Sequence, residues 1–474
     1  MSPDQPPLSR ALAAFALGDE PAILDRRGRR LAIPPIVDSV AVILAGNASE
    51  AGRASRRYVH AAWPQAAGPG WTSGSDAGLP VELAALINAW MGHALDYDDA
   101  LPGSGHLSVP MLAAALAAGD AREQPLSGGE LVDAFLVGFE IAAKTGMALG
   151  VAHYRRGWHT TVTAGTIGTT AAAGRILGLD RDRLTAAFGI AASSVAGLQR
   201  NFGTTTKPLH SGLAARNGLA AALLALAGVS SDELAIDGER GLLDLYGLGE
   251  ARPEFLRTLH EPWAIESPGT GLKLYPACYA AARPVDALLA LRARHALHAD
   301  DVEEIRLAVP KNGLHPMIHH EPKTGLNAKF SMEYVLAAAL ADGGLDLASF
   351  EDAAVSRPAV RELMSRVRLS EDRALRPEDP DALRSSPATG GRVVVELVLR
   401  DGRRVEATVA HPKGSPSAPF DRDDLEGKFM TCARFGGFAE EPARAAFDAL
   451  MELEDVDDVR SVLQTLRPAT AGIR

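Results

Sequence analysis

Thr160-Thr161-Val162-Thr163-Ala164-Gly165-Thr166-Ile167-Gly168-Thr169-Thr170-Ala171-Ala172-Ala173-Gly174-Arg175-Ile176-Leu177 is small and apolar on nearly every face. Gly165, Gly168 and Ala172 recur at three- and four-residue spacing, so a neighbouring helix can approach closely. A helix that is hydrophobic all round is buried all round. Gly178 supplies the stop, as glycine past a helix end commonly does. The same style extends outward in both directions. Leu83 to Leu95, Met111 to Ala118, Leu184 to Leu198 and Ser211 to Ala227 read as further helices. Ser127-Gly128-Gly129-Glu130 is a capping-box pattern that opens another, running through Phe135, Phe139 and Ile141.

The texture changes near Ser267-Pro268-Gly269. Asp301 to Val309 alternates as a strand does. Arg392 to Leu399 and Arg403 to Val409 are β-rich runs joined by Asp401-Gly402, a type I′ hairpin signal. Pro276 to Ala296 and Ala328 to Ala341 read as helices, and helices resume at Leu425 to Phe429 and Pro442 to Leu453. The expected fold class is mainly α: a large all-helical domain plus a smaller α+β domain. The expected boundaries are 1–267 for the first part of the helical domain, 268–410 for the α+β domain, and 411–474 for a tail returning to the first.

Composition narrows the function classes. The chain has 474 residues, 47% of them hydrophobic and only 5% aromatic, enough for a large core made of closely approaching helices. A net charge of −11 without a basic run argues against a nucleic-acid partner. Two cysteines, Cys278 and Cys432, make no disulfide framework and no paired metal spacing, which suits a reducing cytoplasm. Met1 to Pro7 carries no signal-peptide pattern. The longest apolar stretch, Gly218 to Val229, is shorter than the ~20 residues a bilayer needs, so no membrane is expected. No dinucleotide fingerprint, P-loop, serine-hydrolase elbow or His-Glu-x-x-His motif is present.

Certain polar residues stand out against this apolar background. Lys207 lies in Gly203-Thr204-Thr205-Thr206-Lys207-Pro208-Leu209-His210, and a lysine so deep in an apolar region is expected to meet an anion. Asp96-Tyr97-Asp98-Asp99 follows a helical run; three carboxylates in four residues ask for a cation. One of them could orient or charge a catalytic lysine or histidine. Magnesium ligation and a solvated helix end are the rival readings, the first lacking a second acidic site. His106 enters the helix Met111 to Ala118, whose start could hold an anion, and His159 precedes Thr160-Thr161 at another helix start. Lys273, in Leu272-Lys273-Leu274-Tyr275-Pro276-Ala277-Cys278, sits just past the domain junction. Two lysines, Lys207 and Lys273, would match a di- or tricarboxylic acid. Cys278 reads more readily as a small residue at a helix start than as a nucleophile.

Five motifs occur in order along nearly the whole chain. They are Asn88-Ala89-Trp90-Met91-Gly92-His93-Ala94-Leu95-Asp96-Tyr97-Asp98-Asp99, Gly157-Trp158-His159-Thr160-Thr161, Thr206-Lys207-Pro208-Leu209-His210-Ser211-Gly212, Lys273-Leu274-Tyr275-Pro276-Ala277-Cys278 and Ala328-Lys329-Phe330-Ser331-Met332-Glu333-Tyr334. Together they resemble the MmgE/PrpD family, which includes 2-methylcitrate dehydratases, cis-aconitate decarboxylases and iminodisuccinate epimerases. The resemblance implies a helical domain with an α+β lid, a homodimer, and a site without metal or other cofactor in the interdomain cleft. It places Asp96, His106, His159, Lys207 and Lys273 at the active site, with Cys278 and His210 beside Lys207 and Lys273 as substrate-binding positions. Ala100 and Cys278 stand where the decarboxylases of the family carry Thr and His, which weakens the decarboxylase reading. The lid segment His315-Pro316-Met317-Ile318-His319-His320-Glu321-Pro322 could supply a further group.

The chemistry expected is a charge developing on carbon next to a carboxylate, with Lys207 and Lys273 stabilising it and His159 or His106 moving the proton. The favoured function is a cofactor-independent, 2-methylcitrate-dehydratase-like lyase acting on a small di- or tricarboxylic acid. Epimerisation, cis-aconitate-type decarboxylation and non-catalytic carboxylate binding are the alternatives.

Overall fold

The computed structural model of the chain describes residues 5–18, 24, 26–376 and 390–467. The chain divides into two compact units, Met1–Thr270 with Asp421–Arg474, and Gly271–Phe420. Among the described residues of the first, ten α-helices run in chain order before the break. They are α1 (Leu8–Leu17), α2 (Arg26–Gly46), α3 (Glu50–Ala62), α4 (Val81–Gly92), α5 (Ser108–Asp120), α6 (Gly128–Arg155), α7 (Thr160–Ile176), α8 (Arg181–Ala192), α9 (Thr206–Leu226) and α10 (Leu242–Gly247).

At the centre lies α7, in which every residue but Arg175 is buried. It packs between α6 and α9, and two glycines set the approach. A Cβ on Gly168 would lie 2.3 Å from the Gly138 carbonyl oxygen of α6, and one on Gly218 of α9 would lie 1.9 Å from Thr169 Oγ1. Neither position has room for a side chain. The threonines of α7 tolerate full burial because their hydroxyls donate to backbone carbonyls. Thr166 donates to Val162 and Thr170 to Thr166, one turn back, while Thr169 reaches Ala214 of α9 at 2.9 Å.

Ser127 and Glu130 close the expected capping box on α6, each side chain accepting from the other's backbone N–H. At 28 residues this helix is long and apolar enough to cross a membrane, a length the sequence reading underestimated. The most apolar window of α6 is 83% buried inside the protein, as expected of a core helix.

The second unit contains α11 (Ala282–Arg294), β1 (Val302–Pro310), α12 (Gly325–Ala328), α13 (Met332–Asp342), α14 (Asp352–Val355), α15 (Pro358–Ser365), β2 (Val367–Asp372), β3 (Val393–Leu399) and β4 (Arg404–Val409). The strands form one sheet in the order β2-β1-β3-β4. The β1–β2 pair is parallel and the other two are antiparallel. Val393, Val395, Leu397 and Leu399 alternate inward along β3, into a core shared with α11 and α13. The β3–β4 hairpin is not type I′ as expected. Gly402 has φ of +86° and Asp401 does not share the left-handed region, so the link is a tight turn closed by one left-handed glycine.

After Asp421 the chain rejoins the first unit through α16 (Arg422–Phe435), α17 (Glu440–Met451) and α18 (Val459–Gln464). Helix α16 packs along α2. Lys428 of α16 and Asp38 of α2 form a buried ion pair at 2.6 Å.

Candidate active site

The site of the first unit is built around the loop after α4. The α-helix ends at Gly92, and the backbone turns left-handed at Asp96, φ +52°, a conformation aspartate adopts more readily than most residues. That turn separates the carboxylates, which are all buried rather than solvated at a helix end. Each takes a different partner. Asp96 Oδ1 accepts from Lys207 Nζ at 2.6 Å. Asp98 Oδ2 lies 2.7 Å from His93 Nδ1. Asp99 accepts from Ser108 N–H, the Ser108 hydroxyl and the Thr270 hydroxyl.

Asp99 therefore occupies the start of α5, a position at which the sequence allowed an anion. Burial first, and then the charge of Asp98, pushes the Asp99 carboxyl up to about 7. Asp99 is a structural clamp, Asp98 orients a histidine, and Asp96 holds the lysine. Lys428 fastens the same loop: its ammonium donates to the Tyr97 carbonyl at 2.8 Å and lies 4.0 Å from the Tyr97 ring centroid.

His106 follows on the loop into α5. Its Nδ1 sits 2.6 Å from the Asp99 carbonyl oxygen, which can only accept, so Nδ1 carries the proton. This leaves Nε2 as the acid–base atom of the neutral ring, 4.0 Å from Asp96 Oδ1. The His106 backbone N–H is held by Thr161 Oγ1. His159 stands at the N-cap of α7, with Nδ1 3.0 Å from Nδ1 of His210 on α9. Burial, then the Lys207 charge, holds His159 well below the usual imidazole range; burial followed by the His93 and Lys207 charges brings His210 down to about 4. Both rings are neutral at neutral pH, one donating to the other. The His93 ring centroid lies 4.7 Å from that of His106 and 6.0 Å from that of His159. Phe202 closes against His159 at 5.0 Å and lies 5.9 Å from Lys207 Nζ.

Asp96, His106, His159, Lys207 and His210 are thus brought together within one unit. Lys273 and Cys278 belong to the other. There Lys273 is buried, and Cys278 is half-buried, its N–H donating to the Lys329 carbonyl. His320 is exposed and pairs with Glu333 at 2.8 Å, while His319 lies 3.5 Å from Asn327.

His93 stood out in the sequence only as part of a motif, Asp98 only as one of three crowded carboxylates, and Asp38 and Lys428 carried no signal at all. His93, Asp96, Asp98 and His106 also bring potential ligand atoms within 4.8 Å of one another, a spacing a metal ion could accept. Lys207 already supplies a positive charge at Asp96.

Two family models match the chain, the MmgE/PrpD N-terminal domain over residues 10–254 and the MmgE/PrpD C-terminal domain over residues 275–453. The chain belongs to the MmgE/PrpD family. Among proteins similar to this member is the human cis-aconitate decarboxylase, 30% identical over 404 residues that span 82% of this chain and 80% of the relative. The mouse cis-aconitate decarboxylase is 28% identical over 456 residues, 93% of this chain and 89% of the relative. The cis-aconitate decarboxylase of Aspergillus terreus is 28% identical over 407 residues, 81% and 80%. These relatives support a lyase.

Proposed function

We propose that this MmgE/PrpD member is a cofactor-independent lyase acting on a small di- or tricarboxylic acid through an enediolate-like intermediate. The observation that carries the reading is one shared carboxylate. Asp96 Oδ1 lies 2.6 Å from the Lys207 ammonium and 4.0 Å from His106 Nε2. A fixed cation and an imidazole nitrogen therefore sit side by side in a buried place. Removing a proton from a carbon next to a carboxylate puts charge on that carboxylate. Lys207 would stabilise the charge and His106 Nε2 would take the proton. Water loss follows if a hydroxyl leaves from the neighbouring carbon. His159 and His210, neutral and hydrogen-bonded to each other, are suited to give that leaving group a proton.

The dehydratase reading is favoured by Ala100 and Cys278, which stand where the family's decarboxylases carry Thr and His. Decarboxylation is the second reading, supported by the printed activity of the relatives. Both use the same stabilised carbanion, reached by losing a proton or by losing CO₂. Lys273 keeps the place that its motif alone suggests, and Lys273→Ala tests it by a loss of turnover.

Proton NMR of polycarboxylates incubated with the chain separates the possibilities. A hydroxy acid converted to an unsaturated acid of the same carbon count supports dehydration, whereas loss of one carbon from cis-aconitate supports decarboxylation. Exchange of solvent deuterium without elimination supports epimerisation, and no turnover of any tested acid defeats the reading. Turnover should survive treatment with a chelator, because Lys207 rather than a metal supplies the charge. Activity lost to the chelator and restored by zinc or magnesium would transfer the role to the His93, Asp96, Asp98 and His106 cluster.

A further inference from the structure

His159 owes its place to more than the start of α7. The peptide group that joins it to Trp158 is held at both of its polar ends. The His159 N–H donates to the Gly197 carbonyl at 3.1 Å, and the Trp158 carbonyl accepts from the Gln199 side-chain amide at 2.8 Å. The same amide nitrogen has a second N–H, which donates to the Tyr154 carbonyl at 2.7 Å. The Gln199 backbone N–H adds a bond to the Gly157 carbonyl at 2.9 Å. One half-buried glutamine thus binds the carbonyls of Tyr154, Gly157 and Trp158 across the turn between α6 and α7. The approach depends on Gly197, whose φ is +107° and where a Cβ would lie 2.1 Å from Val162 Cγ1.

Gln199 also sets what the imidazole meets. Its own carbonyl accepts from the Phe202 N–H at 2.9 Å, closing a single 3₁₀ turn, Gln199–Asn201. The Phe202 ring then stands nearly edge-on to His159, at an interplanar angle of 78° with centroids 5.0 Å apart. We propose that Gln199 is a positioning residue that fixes the His159 backbone and sets the Phe202 ring against the imidazole. The inference rests on His159 as a proton-giving residue of the proposed lyase. The donor pattern calls for a primary amide of this length. Glutamate has the same shape but, ionised, offers no donor; methionine has the length and no donor; asparagine is one methylene shorter.

The test is an NMR measurement at neutral pH on the full-length chain, labelled at histidine and phenylalanine, without substrate. In the natural chain the carbon-bound ring protons of His159 and Phe202 should share a nuclear Overhauser cross-peak. So should those of Phe429 and Phe447 on α16 and α17, whose centroids are 5.5 Å apart. Gln199→Met and Gln199→Glu should each lose the first cross-peak and keep the second. Survival of the His159–Phe202 cross-peak in either variant overturns the proposal. Loss of both cross-peaks overturns it too, since Gln199 would then be a general support of the helical unit. If neither variant folds, the unaltered chain decides. Its Gln199 side-chain amide protons, each tied to a carbonyl, should exchange with solvent far more slowly than those of the exposed Gln124, and exchange at the Gln124 rate overturns the proposal. Turnover separates this inference from the reading beneath it. On 2-methylcitrate or cis-aconitate, whichever the natural chain converts, kcat of both variants should fall by ~10- to 100-fold with KM little changed. Loss of the His159–Phe202 cross-peak with undiminished kcat would leave Gln199 as the anchor of His159 and remove His159 from the proposed reaction.

Discussion

Two buried lysines hold the same four-residue loop through different partners. Lys207 meets Asp96 and Lys428 meets Asp38, both at 2.6 Å. The Lys428 ammonium is enclosed: it also donates to the Tyr97 carbonyl and packs on the Tyr97 ring. The Lys207 ammonium instead shares its carboxylate with a histidine and borders three more imidazoles through His93, His159 and His210. The Lys428 pair lies against a tyrosine ring and a backbone carbonyl, the Lys207 pair among imidazoles. In the proposed reading, the contrast separates a strut from a reaction centre.

The largest expected effect lies on the reaction side. Lys207→Ala should lower turnover by at least ~100-fold, the scale for losing one preorganised charge at a developing oxyanion. Its thermal stability should fall less than that of the Lys428 variant, because Asp96 keeps a second neighbour, His106 Nε2, at 4.0 Å. Near-normal turnover would dissolve the distinction between the two lysines.

On the strut side, Lys428→Met leaves Asp38 buried without its ammonium and should cost about 3–5 kcal/mol in denaturant unfolding. The double variant Asp38→Leu with Lys428→Met removes both charges and should recover most of that loss. It should not recover all of the activity, since the Tyr97 carbonyl still lacks its donor and the loop carrying Asp96 is less firmly held. A double variant as unstable as the single one would show that the backbone contact, not the ion pair, dominates.

The same contrast explains what the sequence could and could not reveal. Lys207 was conspicuous because it interrupts a small-residue helix beside Thr206 and Pro208, and Asp96 because acidic residues crowd around it. Lys428 lies in an ordinary amphipathic helix, Arg422–Phe435, and its backbone partner is 331 residues away. No local pattern encodes a contact of that separation. Helices α6, α7 and α9 were legible because small residues and caps repeat within one or two turns. Strand β2 was not, because Val367-Arg368-Leu369-Ser370-Glu371-Asp372 is a polar edge strand with little buried beyond Val367. The division of labour among Asp96, Asp98 and Asp99 was hidden too, since it depends on a left-handed backbone turn at a non-glycine residue.

The smallest expected effect concerns pH. Burial holds four imidazoles of the helical unit, His93, His153, His159 and His210, below their usual range, His153 and His210 at about 4. The unfolded chain protonates them near 6.5, so between about 6.5 and about 4 the unfolded state binds more protons. Stability is therefore present above 6.5 and lost as the solution is acidified through that window. Asp99 acts in the opposite sense. Its carboxyl is raised from 3.8 to about 7 by burial and by Asp98, so in the same window the folded state keeps a proton that the unfolded chain has released. On its own, Asp99 would make the protein more stable as pH falls from 7 to 4. Asp120 and Glu140, whose carboxyls burial also raises, act in the same sense as Asp99. Asp99→Asn removes one of these opposing contributions while an amide oxygen can still accept from Ser108 and Thr270. The melting temperature of that variant should decline more steeply from pH 7 to pH 4 than that of the natural chain. A shallower decline would mean that Asp99 is ionised in the folded protein and contributes to the charge of the site rather than to its frame.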